Sequence, residues 1–130
     1  MELFNTFILF LKGANLPFEI RNTETIAFDY HNLHFLFRYN KEQDANYFQI
    51  LLPRIQKIDG NTNWTMLAQL NTQIKVVKSI SIIDQEGENP SALWLSCEQF
   101  IYSDLEANQL FQRMINALVA YLNLFRNQNL

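Results

Sequence analysis

The feature that most constrains the fold is the alternation of apolar and polar residues between positions 18 and 56. Successive side chains of a pleated strand point to opposite faces, so each alternating run places one apolar face on a sheet. The apolar positions form three runs: Phe18, Ile20, Ile26, Phe28 and Tyr30; Phe35, Phe37 and Tyr39; and Phe48, Ile50 and Leu52. The pattern predicts an antiparallel meander with strands at 18–30, 33–40 and 46–56, whose apolar face other elements must cover.

The links between these runs contain the residues that turns favour. His31 and Asn32 predict a tight first hairpin, and the polar segment 41–46 predicts a longer second one. Residues 22–24 interrupt the first run, which is therefore two short strands or one strand with a bulge. Pro53 has no amide hydrogen to donate, so it predicts that the third strand ends there or lies at a sheet edge.

Apolar stripes spaced three and four residues apart predict helices at 2–13, 62–77 and 104–127. Asn61 or Thr62 is expected to cap the second helix, because a side-chain oxygen at that position accepts from a free backbone amide. The longest stripe belongs to the C-terminal helix, which we expect to be the main cover of the sheet.

Two further alternating segments predict strands at 79–85 and 91–102. The residues Ser103 to Glu106 fit a capping box at the start of the last helix. With 130 residues, the chain is long enough for one domain with a real core. We therefore predict a single α+β domain over residues 1–130, with an antiparallel sheet of about five strands in the order α-β-β-β-α-β-β-α.

Composition and charge exclude several classes of partner. The chain is 48% hydrophobic and 18% charged, which is typical of a globular protein rather than a disordered one. Its net charge is −3 and no basic block occurs, so we expect neither nucleic acid nor a membrane as a partner. Cys97 is the single cysteine and Glu2 stands where a secretion signal carries a base, so we expect a cytoplasmic location.

Residue types that often form catalytic or metal-binding sites are present, but the sequence does not group them as such a site requires. His31 and His34 flank a predicted hairpin, and Cys97 lies among apolar neighbours of a predicted strand. The carboxylates of Asp84, Glu86 and Glu88 are expected at a solvated turn, without the oxygen spacing of a calcium loop. No glycine-rich phosphate loop occurs. We therefore expect no enzymatic activity, no metal and no cofactor.

Large apolar residues also occur on the side of the pattern opposite the main alternation. These candidates for a partner-binding surface are Leu36, Leu51, Trp94 and Phe100 on the predicted strands, and Trp64 and Met66 on the second helix. Two interpretations fit this surplus. Helices could cover both faces of the sheet, or part of one face could bind a partner.

The order of elements resembles that of the YbjN-like proteins and the type III secretion chaperone-like (Tir chaperone-like) fold. The local likeness lies in the third-strand run from Tyr47 to Pro53, in the stretch from Asn71 to Lys78, and in the strand-to-helix passage from Leu93 to Leu105. The resemblance implies a small cytosolic bacterial protein that is not an enzyme and is often a homodimer. Secretion chaperones of this fold hold an extended client segment against apolar grooves, whereas the YbjN-like proteins are described as regulatory or chaperone-like.

The sequence and the resemblance together favour a non-enzymatic protein-binding module, chaperone-like or regulatory, that engages an apolar protein segment and forms a homodimer. The alternative is a regulatory domain that senses a small molecule in an apolar pocket between the sheet and the C-terminal helix. In the protein-binding interpretation, the partner of these apolar residues is either a second copy of the chain or a segment of a client protein.

Overall fold

The structure, a computed structural model, describes residues 2–83 and 90–128. Within that part of the chain the order of elements is α1 Leu3–Gly13, β1 Phe18–Ile20, β2 Thr25–Tyr30, β3 Leu33–Arg38, β4 Tyr47–Lys57, α2 Trp64–Gln73, β5 Val77–Ile83, β6 Pro90–Phe100 and α3 Ala107–Gln128. The predicted α+β class and element order are confirmed. None of the helices described is long and apolar enough to cross a membrane.

The described strands form one six-stranded antiparallel sheet in the order β1-β2-β3-β4-β6-β5. The prediction of about five strands is one short, because the first alternating run divides into β1 and β2. The division has a local cause, since the amide of Glu24 donates to the Asn22 side chain at 2.8 Å and closes a turn. His31 and Asn32 form the first hairpin with φ values of 50° and 63°, the left-handed conformation that two-residue hairpins require.

The second half of the sheet is not a continuation of the meander. The chain leaves β4, passes through α2 and returns as the edge strand β5, and β6 then inserts between β4 and β5. The register pairs Ile50 of β4 with Cys97 of β6, and Cys97 with Val77 of β5. β6 is therefore a central strand, and both of its neighbours are antiparallel to it.

The helices α1, α2 and α3 all pack on the same face of the sheet. Their buried residues share one core cluster with the inward side chains of the strands, including Phe28, Phe37 and Ile50. Aromatic rings dominate the centre, where the Phe7 ring of α1 stacks on Phe37 at 4.1 Å. We refer to the opposite face, on which none of the described helices packs, as the helix-free face.

Strand β4 continues through Pro53, which contradicts the prediction that the strand ends or lies at an edge there. The ladder with β6 shifts register between Leu52 and Gln56, so Pro53 sits in a bulge and needs no ladder hydrogen bond. Arg54 in this bulge has a φ of 53°, which is uncommon for a residue with a Cβ atom. The bulge bends a central strand at the edge of the groove described below.

The helix starts also differ from the predictions. Asn63, not Asn61 or Thr62, caps α2, with its side chain accepting from the amide of Met66 at 3.0 Å. The predicted capping box is not formed, because the Ser103 hydroxyl accepts from the amide of Leu105 and α3 begins only at residue 107. Local hydrogen bonding therefore moves both helix starts by two or three residues towards the C-terminus.

Candidate binding surface

The helix-free face has an apolar centre. Across β2, β3, β4 and β6, the register aligns Ala27, Leu36, Leu51 and Ser96 in one row. Leu51 is only 2% exposed although no described helix covers it, and Leu36 and Trp94 beside it are half-buried. Because Trp94 lies two residues from Ser96 on β6, it adjoins the same row. The sheet therefore presents a strip of mostly apolar side chains on this side, in which Leu51 and Ser96 are buried.

A groove of about 720 Å³ opens on this strip. Its floor includes Ala27, Leu36 and the indole of Trp94. Its rim carries side chains of both charge signs, from Glu19, Arg21, Asp29, His34 and Arg54. The bulge at Pro53 and Arg54 contributes one side of the groove, so the irregularity in β4 shapes it directly. An apolar floor with a mixed-charge rim is typical of a protein-binding surface.

The two histidines have ordinary structural roles. His34 Nδ1 lies 2.5 Å from the Asp29 carboxylate across the β2–β3 hairpin, where the His34 side chain is exposed and that of Asp29 is about half exposed. His31 occupies the left-handed turn position of that hairpin. Within residues 2–83 and 90–128, no three potential metal-ligating side chains come together. Asp84, Glu86 and Glu88 lie outside the described residues.

The six predicted surface residues fall into different places. Leu36, Leu51 and Trp94 meet on the helix-free face, and Phe100 lies on the same face at the end of β6, where it is 53% exposed. The two residues of α2 lie on the other side of the sheet. Trp64 is 53% exposed there, whereas Met66 is 5% exposed and belongs to the core cluster. The structure therefore places the four strand residues on one face, with Phe100 at the end of β6 away from Trp94, and the α2 pair on the other side.

An aromatic row extends the helix-free face at its end. The ring of Phe100 lies 5.3 Å from that of Tyr47 and 6.5 Å from that of Tyr102, and the planes of Phe100 and Tyr102 are within 6° of parallel. Tyr102 is 77% exposed and nearby Leu105 is 90% exposed. Exposed aromatic groups in contact with one another mark an interaction surface more often than isolated ones do.

Glu98 holds a fixed carboxylate beside this row. Its Oε1 accepts from Gln49 Nε2 at 3.1 Å and from the Ser96 hydroxyl at 3.4 Å. Burial, together with a hydrogen bond to the charged Glu98, raises the pKa of Tyr47 to about 12. Tyr47, Glu98 and Tyr102 are not among the surface residues that the sequence predicts. The signal was the alternation along β6, which places Glu98 and Phe100 on the same face as Trp94.

The space between the sheet and α3 is filled. The α3 side chains that point at the sheet are almost completely buried: Phe111, Ile115, Leu118, Tyr121 and Leu122 are each at most 1% exposed. The ring of Phe111 packs edge-on against Phe48 at 5.4 Å. A groove of about 520 Å³ beside α3 is lined by Tyr30, His31 and Leu33 of the first hairpin and by Asn116, Val119, Ala120, Asn123 and Arg126 of α3. It does not reach between α3 and the sheet centre.

We expect a thiol reagent to label Cys97 only when the chain unfolds. Its side chain is fully buried, and this burial, with a contribution from the charge of Glu98, raises the pKa of the thiol to about 11. A buried thiol that keeps its proton is unreactive. The labelling rate measured across a urea titration should follow the unfolded fraction. Rapid labelling of the folded chain at pH 8 would contradict this.

The same pKa has a consequence for stability at alkaline pH. An unfolded cysteine loses its proton near pH 8.5, whereas folded Cys97 keeps it up to about pH 11. The folded chain therefore binds more protons in this window, and the free energy of unfolding falls as pH rises through it. Below about pH 8 the thiol makes no pH-dependent contribution.

The architecture has a counterpart among solved structures. No protein-family model matches the sequence, and no curated protein matches it significantly. The crystal structure of YbjN from E. coli superposes with a TM-score of 0.65, covering 96% of this chain and 91% of that chain at 10% sequence identity. The chain has a YbjN-like fold. The resemblance seen in the sequence is confirmed at the level of the fold. YbjN itself is described as a candidate transcription regulator, and at 10% identity the likeness to YbjN concerns architecture alone.

Proposed function

We propose that this chain is a non-enzymatic, cytoplasmic module that binds an extended apolar segment of a partner protein on its helix-free face. The packing of α1, α2 and α3 on the other face carries the proposal, because it leaves the half-buried side chains of Leu36 and Trp94 with no described helix above them. If the helix-free face were simply exposed to solvent, polar side chains would be expected at these positions. The role would be chaperone-like or regulatory.

The shape and charge of the groove favour a protein segment over a charged metabolite. The rim contains the basic residues Arg21 and Arg54 and the acidic residues Glu19 and Asp29, so neither positive nor negative charge dominates. Its volume of about 720 Å³ accommodates several apolar side chains. An extended segment would place alternate side chains on the floor while its polar backbone remains near the charged rim.

A regulatory role is compatible with the description of YbjN as a candidate transcription regulator. The route would be protein binding rather than DNA binding, because the chain has a net charge of −3 and no basic block. The alternative function, small-molecule sensing between the sheet and α3, gains no support from the filled space there. Pairing of two copies through the helix-free face would give the expected homodimer, and light scattering over a concentration series tests it.

Replacing Trp94 by glutamate should lower partner binding at least about tenfold while the fold is kept, because aromatic anchors dominate interface energetics. The tagged wild-type chain and the variant would be compared in cross-linking capture from native cytosol. Lys57 and Lys78 provide amine groups beside the site, since the register pairs them with Ala92 and Ser96 on either side of Trp94. A partner should cross-link through these lysines in the wild type and be depleted in Trp94→Glu.

Two further variants complete this test. Leu9→Glu introduces the same charge at a 68% exposed position of α1 and should leave capture unchanged. Trp64→Glu asks whether α2 contributes a second contact. Equal capture by the wild type and Trp94→Glu would refute binding at the helix-free face. If Trp94→Glu unfolds the chain, Leu36→Arg at a half-buried position of the same face takes its place.

A further inference from the structure

The aromatic row at the end of the helix-free face has no role in the core. Phe100 and Tyr102 are 53% and 77% exposed, and neither belongs to the core cluster. Their nearly parallel rings, 6.5 Å apart, and the ring of Tyr47, 5.3 Å from Phe100, nevertheless form a contiguous set. Fold stability gains little from rings that remain in water. The arrangement therefore points to a ligand that covers them.

The charge beside the row defines the ligand further. Glu98 lies two residues before Phe100 on β6, so the two side chains share a face about 7 Å apart. The carboxylate accepts from Gln49 and Ser96, which holds it in place. Within the part of the chain that the structure describes, Glu98 forms no ion pair. Arg38 of β3 pairs with Gln49 of β4, and Gln49 pairs with Glu98 of β6. Gln49 therefore lies between Arg38 and Glu98.

We propose that Glu98 and the rings of Tyr47, Phe100 and Tyr102 form a receptor for an arginine side chain of a partner protein. A guanidinium group is planar and cationic, so it stacks on aromatic faces and pairs with a carboxylate at the same time. Negative charge on the receptor and positive charge on the ligand are complementary. The inference rests on the proposed function only in taking the partner to be a protein.

The other residues around the row are compatible with this ligand. A groove of about 480 Å³ beside Phe100 and Tyr102 also includes Leu105, Glu106 and Arg113. Glu106 and Arg113 are of opposite sign, so the groove adds no net positive charge to the receptor. Leu105, at 90% exposure, offers an apolar contact for the residue next to the arginine. The site therefore suits an arginine flanked by apolar residues.

The probe is the acetylated and amidated tripeptide Leu-Arg-Leu, and its match is Leu-citrulline-Leu, which keeps the planar shape without the charge. Carbon-detected aromatic NMR of the whole chain should show saturable shifts at Tyr47, Phe100 and Tyr102 with the arginine peptide. The citrulline peptide should bind roughly fivefold more weakly, in line with the modest worth of exposed cation–π and ion-pair contacts.

Variants then separate the two parts of the receptor. Glu98→Gln keeps an acceptor for Gln49 and should weaken arginine-peptide binding roughly threefold, as should Phe100→Ala, since both groups are exposed. Trp64→Ala removes an equally exposed aromatic residue on α2 and should have no effect. Retained circular dichroism spectra establish that each variant is folded.

Several outcomes would overturn the inference. These are equal affinity for the citrulline peptide, unchanged affinity in Glu98→Gln, or shifts that depend on protein concentration without peptide, which would assign the row to a second copy of the chain. Loss of capture in Trp94→Glu with intact arginine binding, or the reverse, therefore distinguishes failure of this inference from failure of the proposed function.

Discussion

The Phe7→Ala variant is expected to lose about 3–5 kcal/mol of unfolding free energy, as is usual when a fully buried phenylalanine is truncated. The Phe7 side chain has no solvent exposure, and its ring contacts those of Phe37 at 4.1 Å, Phe111 at 4.9 Å and Phe28 at 5.3 Å. It therefore joins α1 to the sheet and to α3. Urea titration followed by circular dichroism measures the loss, which is a large share of the 5–15 kcal/mol typical of a domain.

Leu9→Ala on the same helix is the matched control. Leu9 is 68% exposed, so its truncation should change the free energy of unfolding by less than about 0.5 kcal/mol. If both variants lost the same small amount, α1 would not be packed as the structure has it. If Leu9→Ala alone were destabilising, the outer surface of α1 would be covered by another chain.

The meander could be predicted because its determinants are local. Alternation from Ile26 to Tyr30 and from Leu33 to Phe37 fixes which face each side chain takes, and His31 and Asn32 fix the hairpin between them. Pro53 misled the prediction for the opposite reason. A bulge that tolerates proline depends on the partner strand β6, which lies some forty residues later and is invisible in the local pattern.

The position of β6 between β4 and β5 also could not be predicted from the local sequence pattern. Leu93 to Cys97 alternates in the same way whether the strand is central or at an edge, and only pairing with both neighbours decides. The inward face of α2 is likewise set by packing with the rest of the chain. Met66, Leu67 and Leu70 face the core, whereas Trp64, the first residue of the helix, is 53% exposed.

The candidate surface was only partly predictable. An apolar residue such as Leu36 or Trp94 on the second face has the same sequence signature whether a helix or a partner covers it. The packing of α1, α2 and α3 on one face excludes cover by helices on both faces for the described residues, and binding of a partner to the other face is the proposal made above. Glu98 could not be predicted as a site residue, because a single acidic residue on a strand is common. The role proposed for it rests on its neighbours on β4, Gln49 and Tyr47.

A single amide oxygen holds the edge strand β5 and the helices α2 and α3 together. Asn71 Oδ1 of α2 lies 2.6 Å from the Tyr121 hydroxyl of α3, 3.3 Å from the amide nitrogen of Ser79 and 3.4 Å from the Ser79 hydroxyl. Tyr121 has no solvent exposure, and burial raises the pKa of its hydroxyl. The bond to Ser79 also satisfies an amide of the strand at the sheet edge.

The Asn71→Leu variant is expected to lose about 2–3 kcal/mol of unfolding free energy, because it leaves buried donors without their acceptor. The Tyr121 hydroxyl would lose its shortest hydrogen bond and keep the Leu67 carbonyl at 3.3 Å and the Ser79 side chain as partners, and the Ser79 amide would lose its side-chain acceptor. Urea titration measures the loss. Gln69→Leu at an exposed position of the same helix is the control and should stay within about 0.5 kcal/mol.

The double variant Asn71→Leu with Tyr121→Phe distinguishes an unsatisfied donor from a simple packing defect. The second substitution removes the Tyr121 hydroxyl that lost its Asn71 acceptor, while the Ser79 donors stay without that acceptor, so it should restore about 1 kcal/mol of the loss. A packing defect would instead make the two losses add. Additive losses would therefore mean that Asn71 acts through its shape, whereas partial recovery would show that its oxygen fixes α3 against α2 and β5, beside the strand that carries Trp94.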